Sequence, residues 1–203
     1  MSLGRVLVLN GTSSSGKSTL ATALQTVLPD PWLVIGIDTF VFALPRRFLD
    51  QPGWSEVFRY VRPDGASDGP FRIETGPLGE TLVAGMHRSV AALAESGLSV
   101  IVDHVVLERT WLDDLDARLA GIDWRLVAVR CPLDVVERRE RDRRDRTLGQ
   151  AAAQFGVVHA HGVHYDLEVD TSQLSPEEAA SRIAATLDEP AGRGARPAAT
   201  MGS

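Results

Sequence analysis

Eight residues near the N-terminus, Gly11-Thr12-Ser13-Ser14-Ser15-Gly16-Lys17-Ser18, place glycine at the first and sixth positions, lysine at the seventh and a hydroxyl at the eighth. This is the spacing of a phosphate-binding loop, G-x-x-x-x-G-K-[ST], without a mismatch. The glycines let the backbone curl until successive N–H groups point inward at phosphate oxygens. Lys17 supplies a compact cation for the outer phosphates, and the Ser18 hydroxyl is a ligand for Mg²⁺. The lysine stands out for a second reason. Of 21 basic residues, Lys17 is the sole lysine and the rest are arginine. A bias toward arginine accounts for the others, whereas this position needs a point charge that arginine does not provide. A nucleotide site over Gly11 to Thr19 is the first expectation, with ATP as the nucleotide and Mg²⁺ beside it.

Two carboxylates stand where a fold could bring them to such a loop. Asp38 follows the apolar run Trp32 to Ile37, and Asp103 closes Val100-Ile101-Val102. Ligands of open α/β sheets bind beyond the carboxyl ends of the strands, which directs attention to Gly11, Asp38, Asp103 and Arg130. Asp38, at the end of a second strand expected beside the first, can take the proton of an attacking hydroxyl while the loop holds a phosphoryl group in line. Its plainer role would be to cap a helix beginning near Thr39. Asp103 reads as the carboxylate behind the water ligands of Mg²⁺, with a base or a structural cap as its other roles. His104, next to it, can titrate near neutral pH or simply hydrogen-bond in a turn.

Between Arg138 and Arg146 lie six arginines interleaved with Glu140, Asp142 and Asp145. Pairs three or four residues apart would stabilise a mixed-charge helix face. The density suggests more: an arginine lid over residues 138–150 that neutralises charge developing on the γ-phosphate, with Arg139, Arg143 and Arg146 as the leading candidates.

Elements must hold these groups in place. Arg5 to Leu9 reads as a buried parallel strand, and Lys17 to Val27 as a helix with Leu20, Ala23, Leu24 and Val27 at helical spacing. Further strands are expected over Trp32–Ile37, Leu98–Val102, Trp124–Val129 and Tyr165–Val169. Further helices are expected over Leu78–Glu95, closed by Gly97, and over Thr110–Ala120. Two more lie between Leu133 and Phe155, and a last one, Ser175–Leu187, opens with an N-cap, a proline and acids. Strands alternating with helices predict an α/β fold, a P-loop three-layer sandwich around a five-stranded parallel sheet. Residues 39–77 break the pattern. They are rich in Pro, Gly and Asp yet carry Trp54, Phe58, Tyr60 and Phe71, which suggests a short helix and a cap that shape an acceptor pocket. One domain over 1–188 and a disordered tail over 189–203 complete the expected organisation.

Composition narrows the function classes. A net charge of −6 argues against a broad nucleic-acid footprint. The apolar runs are strand-sized, far below the roughly 20 residues of a membrane span. A single cysteine, Cys131, cannot form an internal disulfide, and no secretory pattern opens the chain, so the cytoplasm is expected.

With these residues laid out, the chain resembles the chloramphenicol phosphotransferase family of P-loop kinases to about residue 188. The likeness is carried by Leu9-Asn10-Gly11, Pro31-Trp32-Leu33, Gly36-Ile37-Asp38, Asp103, Arg130-Cys131, Asp145-Arg146, Val157-Val158-His159 and Tyr165 through Thr171. The resemblance implies an ATP-dependent O-phosphotransferase with its base at Asp38, arginines in a lid and a small-molecule hydroxyl as acceptor. In the antibiotic kinase of that family the acceptor is a primary hydroxyl of chloramphenicol, which phosphorylation inactivates. Arg46 to Gly76 matches poorly, and His104 stands where an acid is commoner. Sugar, shikimate-like and nucleoside acceptors are the alternatives within the class. A regulatory GTPase would need a second lysine in its guanine motif, and a water-activating ATPase would place glutamate at position 104. A zinc site from His159, His161 and His164 has no support in the resemblance.

Overall fold

The computed structural model describes residues 2–62, 70–143 and 148–189. Most of the tail expected over 189–203 therefore lies outside the described residues. β1 (Val6–Asn10) is buried along its whole length. Val6 and Val8 enter a core with Met86 and Val90 of α3 (Pro77–Glu95) and Leu115 of α4 (Arg109–Arg118). Leu7 and Leu9 turn the other way, to Leu20 and Leu24 of α1 (Lys17–Val27) and Ile183 of α7 (Pro176–Thr186). Side chains alternate across a strand, so a strand with helices on both faces must be apolar at every position. That is why Val6 to Leu9 of β1 reads as an unbroken hydrophobic run.

The sheet is parallel, in the order β2 (Trp32–Gly36), β5 (Ser99–His104), β1, β6 (Trp124–Arg130), β7 (Leu167–Asp170). The three-layer α/β sandwich with five parallel strands is the expected one. The expected neighbourhood of the second strand is not. β2 ends at Gly36, and β5 lies between it and β1, with Leu9 and Gly36 both in register with Asp103. The chain leaves β1, crosses through α1 and skips one position, which the strand after α3 later fills. Asp103 thus stands between the phosphate loop and the end of β2.

Asp38 does not end a strand. It lies in the first turn of α2 (Ile37–Val41), whose N-cap is the backbone of Gly36, so the capping role considered for Asp38 is not the one it has. Two short 3₁₀ turns follow, Arg46–Phe48 and Gly53–Glu56. A hairpin then pairs β3 (Phe58–Val61) with β4 (Arg72–Thr75), setting Tyr60 opposite Ile73. The sequence reading had a helix and a cap here but no hairpin, because four residues are too few to display an alternation.

Beyond β6, α5 (Leu133–Arg143) and α6 (Gln150–Phe155) provide the two expected helices. α7 begins with a full capping box: Ser175 Oγ accepts from the Glu178 N–H while the Glu178 carboxylate accepts from the Ser175 N–H, with Pro176 at the first helical position. Among the described residues no helix is long and apolar enough to cross a membrane.

Candidate active site

The phosphate loop leaves β1 at Gly11, where a Cβ would meet the Val129 carbonyl oxygen at 2.5 Å and Ser15 Oγ at 2.8 Å. Only glycine fits there. Gly16 is left-handed, φ 94°, as it turns the loop into α1, and Ser14 holds φ 61°, an uncommon conformation for a non-glycine residue. Loops that aim amides at a ligand often store such strain. Thr12, Ser13, Ser14 and Ser15 are all buried. Lys17 Nζ donates to the Thr12 carbonyl at 2.7 Å and lies 3.7 Å from Asp103 Oδ1. Ser18 Oγ donates to Asp103 Oδ2 at 2.7 Å. Lys17, Ser18 and Asp103 therefore form one cluster, at the position where β5 presents its end to the loop.

Asn10 fastens this end of the sheet. Its Nδ2 donates to the Val158 carbonyl at 2.6 Å and to Tyr165 Oη at 2.8 Å, and its Oδ1 accepts from the Val106 N–H at 3.0 Å. The residue is fully buried. Removing its carboxamide would strand these partners away from water, at a cost of about 1–3 kcal/mol for an unsatisfied group. Asn10→Ala is expected to lose at least that much stability in urea unfolding with an unchanged m-value. A loss below 0.5 kcal/mol (~, by the same scale) would show that water replaces the side chain.

A cavity of about 420 Å³ opens on one side of the loop. Lys17, Ser18, Asp38 and Asp103 share its wall, while Trp54 and Phe58 bring the segment 39–77 over it. The structure thus brings together Asp38, the phosphate loop and Asp103, as the sequence reading required. A second cavity, about 380 Å³, opens on the other side and is bounded by Gly16, Thr19, Arg139, Thr171 and Pro176. Arg139 belongs to this second side. Its guanidinium donates to Thr171 Oγ1 at 3.2 Å and to the Thr171 carbonyl at 2.9 Å, and Thr171 Oγ1 in turn donates to the Ser15 carbonyl at 2.6 Å. Of the other two lid candidates, Arg146 and the side chain of Arg143 lie outside the described residues.

Two contributors escaped the sequence reading. Gln154 Oε1 accepts from the Ser13 N–H at 2.6 Å, which ties α6 to the loop. Its trace in the sequence is the pair Gln150 and Gln154, one helical turn apart on the face of a small helix that also buries Ala151. Glu140, expected on a mixed-charge surface, is buried and caps α6 by accepting from the N–H groups of Gly149 and Ala151 at 2.7 and 2.8 Å. Nothing in a run of arginines and acids marks which acid turns inward.

The histidines have separate settings. His87, on α3, is lowered from its ordinary pKa by burial, against the pull of Asp114. His104 is lowered further, by burial and then by its neighbours His87 and Lys17. His159 is pushed down to about 4, by burial first and then by the charge of Arg130. His159 Nδ1 meets Tyr165 Oη, while His161 Nε2 meets the Val106 carbonyl, each at 3.0 Å. The pair has separate partners, and among the described residues no group of three metal-binding side chains occurs.

A histidine held neutral in the fold but free to charge in the unfolded chain makes stability fall as pH drops from 6.5, its ordinary value, to about 4. Below that window both states are protonated and the loss is complete. For the partly exposed His159 ring, solvent screening reduces the penalty to about 1–2 kcal/mol. Thermal unfolding across this range is expected to show the decline, and His159→Gln to flatten it. An equally steep decline in the variant would move the effect to the other buried rings.

The sheet order, the phosphate loop at the end of its central strand and the carboxylate cluster beside it define a P-loop kinase. A family model described as "Chloramphenicol phosphotransferase-like protein" matches residues 4–188, and the chain belongs to that family. A Mycobacterium tuberculosis (strain H37Rv) protein named "Putative O-phosphotransferase" is 33% identical over 184 residues, covering 89% of this chain and 80% of the relative. Among solved structures, the APS kinase CysC of Mycobacterium tuberculosis aligns with a TM-score of 0.65 at 16% identity, over 93% of this chain and 100% of that one. A sugar kinase from Janibacter sp. HTCC2649 aligns at 0.64 and 20% identity, over 91% and 95%. At these identities the two structures establish the fold.

Proposed function

We propose that the protein transfers the γ-phosphoryl group of ATP to a hydroxyl of an uncharged, largely apolar small molecule. The observation that carries this reading is the pair of cavities flanking one phosphate loop. The nucleoside occupies the side of Arg139 and Thr171, the phosphate chain lies over the loop, and the acceptor occupies the side of Asp38. Asp38 receives the hydroxyl proton as the acceptor oxygen bonds to the γ-phosphorus and the bridging oxygen departs with ADP. Lys17 and the loop amides hold the transferred group. Ser18 and Asp103, already hydrogen-bonded to each other, suit Mg²⁺: a hydroxyl ligand with a carboxylate behind it. There Mg²⁺ would supply positive charge against the phosphate oxygens. The lid role considered for Arg143 and Arg146 belongs to this reading as well.

The acceptor class follows from the cavity wall. Phe42, Trp54, Phe58, Tyr60, Ile73 and Trp111 line it, and Lys17 is its sole basic residue among the described ones. Among the described residues of this wall an anionic acceptor such as a shikimate-like acid would find no cation besides the one already committed to phosphate. A neutral ring-bearing alcohol would bury its apolar area there at about 25 cal/mol per Å². Chloramphenicol, from the family description, is the first compound to try, and antibiotic inactivation is the biological role it would imply. An ATP-consuming role is in keeping with a cytoplasmic protein.

The test is a panel of neutral and acidic alcohols, chloramphenicol included, incubated with ATP and Mg²⁺ while ADP release and product mass are followed. Acceptor-dependent ADP and a product heavier by one phosphoryl group are expected for neutral ring-bearing alcohols. ADP release that no alcohol stimulates would sink the reading.

A further inference from the structure

The short helix α6 is held from three directions. Glu140 of α5 accepts from the N–H groups of Gly149 and Ala151 at its start. Phe71, next to β4, packs on Gly149 so closely that a Cβ there would meet its ring at 3.2 Å. Near the other end of the helix, Gln154 Oε1 accepts from the Ser13 N–H of the phosphate loop at 2.6 Å. A helix fixed between loop and hairpin is a rigid mount for whatever it turns toward the larger cavity. Gln150 and Gln154, one turn apart, both line that cavity and are the two carboxamides of its wall among the described residues.

The contact with Ser13 decides which way the Gln154 carboxamide points. A backbone N–H can only donate, so the carboxamide oxygen faces the loop and the nitrogen, with its two N–H groups, turns away from it. Gln154 is 3% exposed. Its Nε2 has no partner among the described residues, yet it is not one of the atoms shut off from solvent without one. The surface it keeps lies in the cavity that the residue lines. Donors withdrawn this far from water are costly to leave unpaired. Phe42, Phe58 and Ile73 across the wall have nothing to offer them. The acceptor must come from what enters the cavity, and sites of this kind orient apolar ligands through a few such fixed polar groups.

We propose that Gln154 is a specificity-determining residue whose Nε2 donates to a carbonyl oxygen of the molecule to be phosphorylated. This rests on the reading of the larger cavity as the acceptor site. It adds a requirement to that reading: besides the hydroxyl that reaches Asp38, the substrate carries a carbonyl-type oxygen close to its reacting end, because Gln154 sits directly against the phosphate loop. Apolar area alone does not define the substrate.

The experiment compares two neutral ring-bearing alcohols, a hydroxyketone and the same molecule with methylene in place of its carbonyl. The unaltered protein is expected to favour the hydroxyketone by about 10- to 100-fold in kcat/KM. In Gln154→Met the ratio should fall to about one, whatever the substitution does to the two rates in common. Gln154→Glu keeps an oxygen for the Ser13 N–H and loses the donors. It should therefore melt closer to the unaltered protein than Gln154→Met does, while its ratio stays at or below one. In the chain labelled with nitrogen-15, the hydroxyketone should move the Gln154 side-chain amide signal and the methylene compound should not.

An unaltered protein indifferent to the carbonyl would overturn the proposal. So would a preference that survives in Gln154→Met, even with both rates reduced, since the amine would then serve the transferred phosphoryl group. A preference restored by Gln154→Glu would reduce the residue to a tether for the loop. Absence of ADP release with every alcohol sinks the kinase reading instead. In that event the amide signal still decides: moved by the hydroxyketone alone it upholds the proposal, and unmoved it refutes it.

Discussion

Asp38→Asn is expected to lower turnover by about 10²- to 10⁴-fold, the usual contribution of a positioned general base, while leaving ATP affinity unchanged. Asparagine keeps the size of the carboxylate and removes its capacity to take a proton. The residue sits in the first turn of α2, facing a cavity that also receives Lys17, Ser18 and Asp103. Its loss should therefore fall on the chemical step, read as kcat in an ADP-release assay, with nucleotide binding measured separately by calorimetry. Two outcomes discriminate. If turnover survives in Asp38→Asn and vanishes in Asp103→Asn while Mg²⁺ and ATP still bind together by calorimetry, the base is Asp103. If ATP affinity collapses with Asp38→Asn, the side chain supports the loop rather than the acceptor.

Lys17→Arg carries the second large effect. In a chain that otherwise uses arginine for every basic position, this substitution looks mild and is expected to be severe, lowering kcat by about 10²- to 10³-fold, the range measured when one charge-stabilising donor is removed. The reason is shape. Lys17 is buried, with its ammonium 2.7 Å from the Thr12 carbonyl inside the curl of the loop. A planar guanidinium spreads its charge over a fork that this space does not accommodate. ATP binding should weaken as well, and a melting temperature close to that of the unaltered protein would show that the defect is local. Turnover within a few-fold of the original would mean that the loop amides, not the lysine, carry the phosphate charge.

The residues that do chemistry in this reading were legible to unequal degrees. The phosphate loop was plain because its function dictates spacing within eight consecutive residues. Asp103 was legible because an apolar strand that stops at an acid marks a sheet end, and the structure hydrogen-bonds that acid to Ser18. Asp38 was found for the right neighbourhood by an incorrect route. The expected adjacency of β2 and β1 is absent, and β5 between them brings the two acids to one cavity. Strand order depends on which crossover skips a position, and no local pattern records that. The hairpin of β3 and β4 was hidden for another reason: its strands are four residues each. Gln154 and Glu140 depend on long-range pairing with backbone N–H groups, and side chains that satisfy a distant loop carry no periodic signature.

The two cavities that meet at the N-terminus of α1 have a further consequence for the transfer itself. Substrates that approach one phosphate loop from opposite mouths can be present together, and neither has to leave for the other to enter. In the proposed reading the phosphoryl group then moves once, directly, with no sojourn on the protein. A single displacement of this kind would invert the configuration at phosphorus, so with Asp38 and Arg139 lining different cavities that share Gly16, the proposed reading expects inversion in a chirally labelled phosphate product.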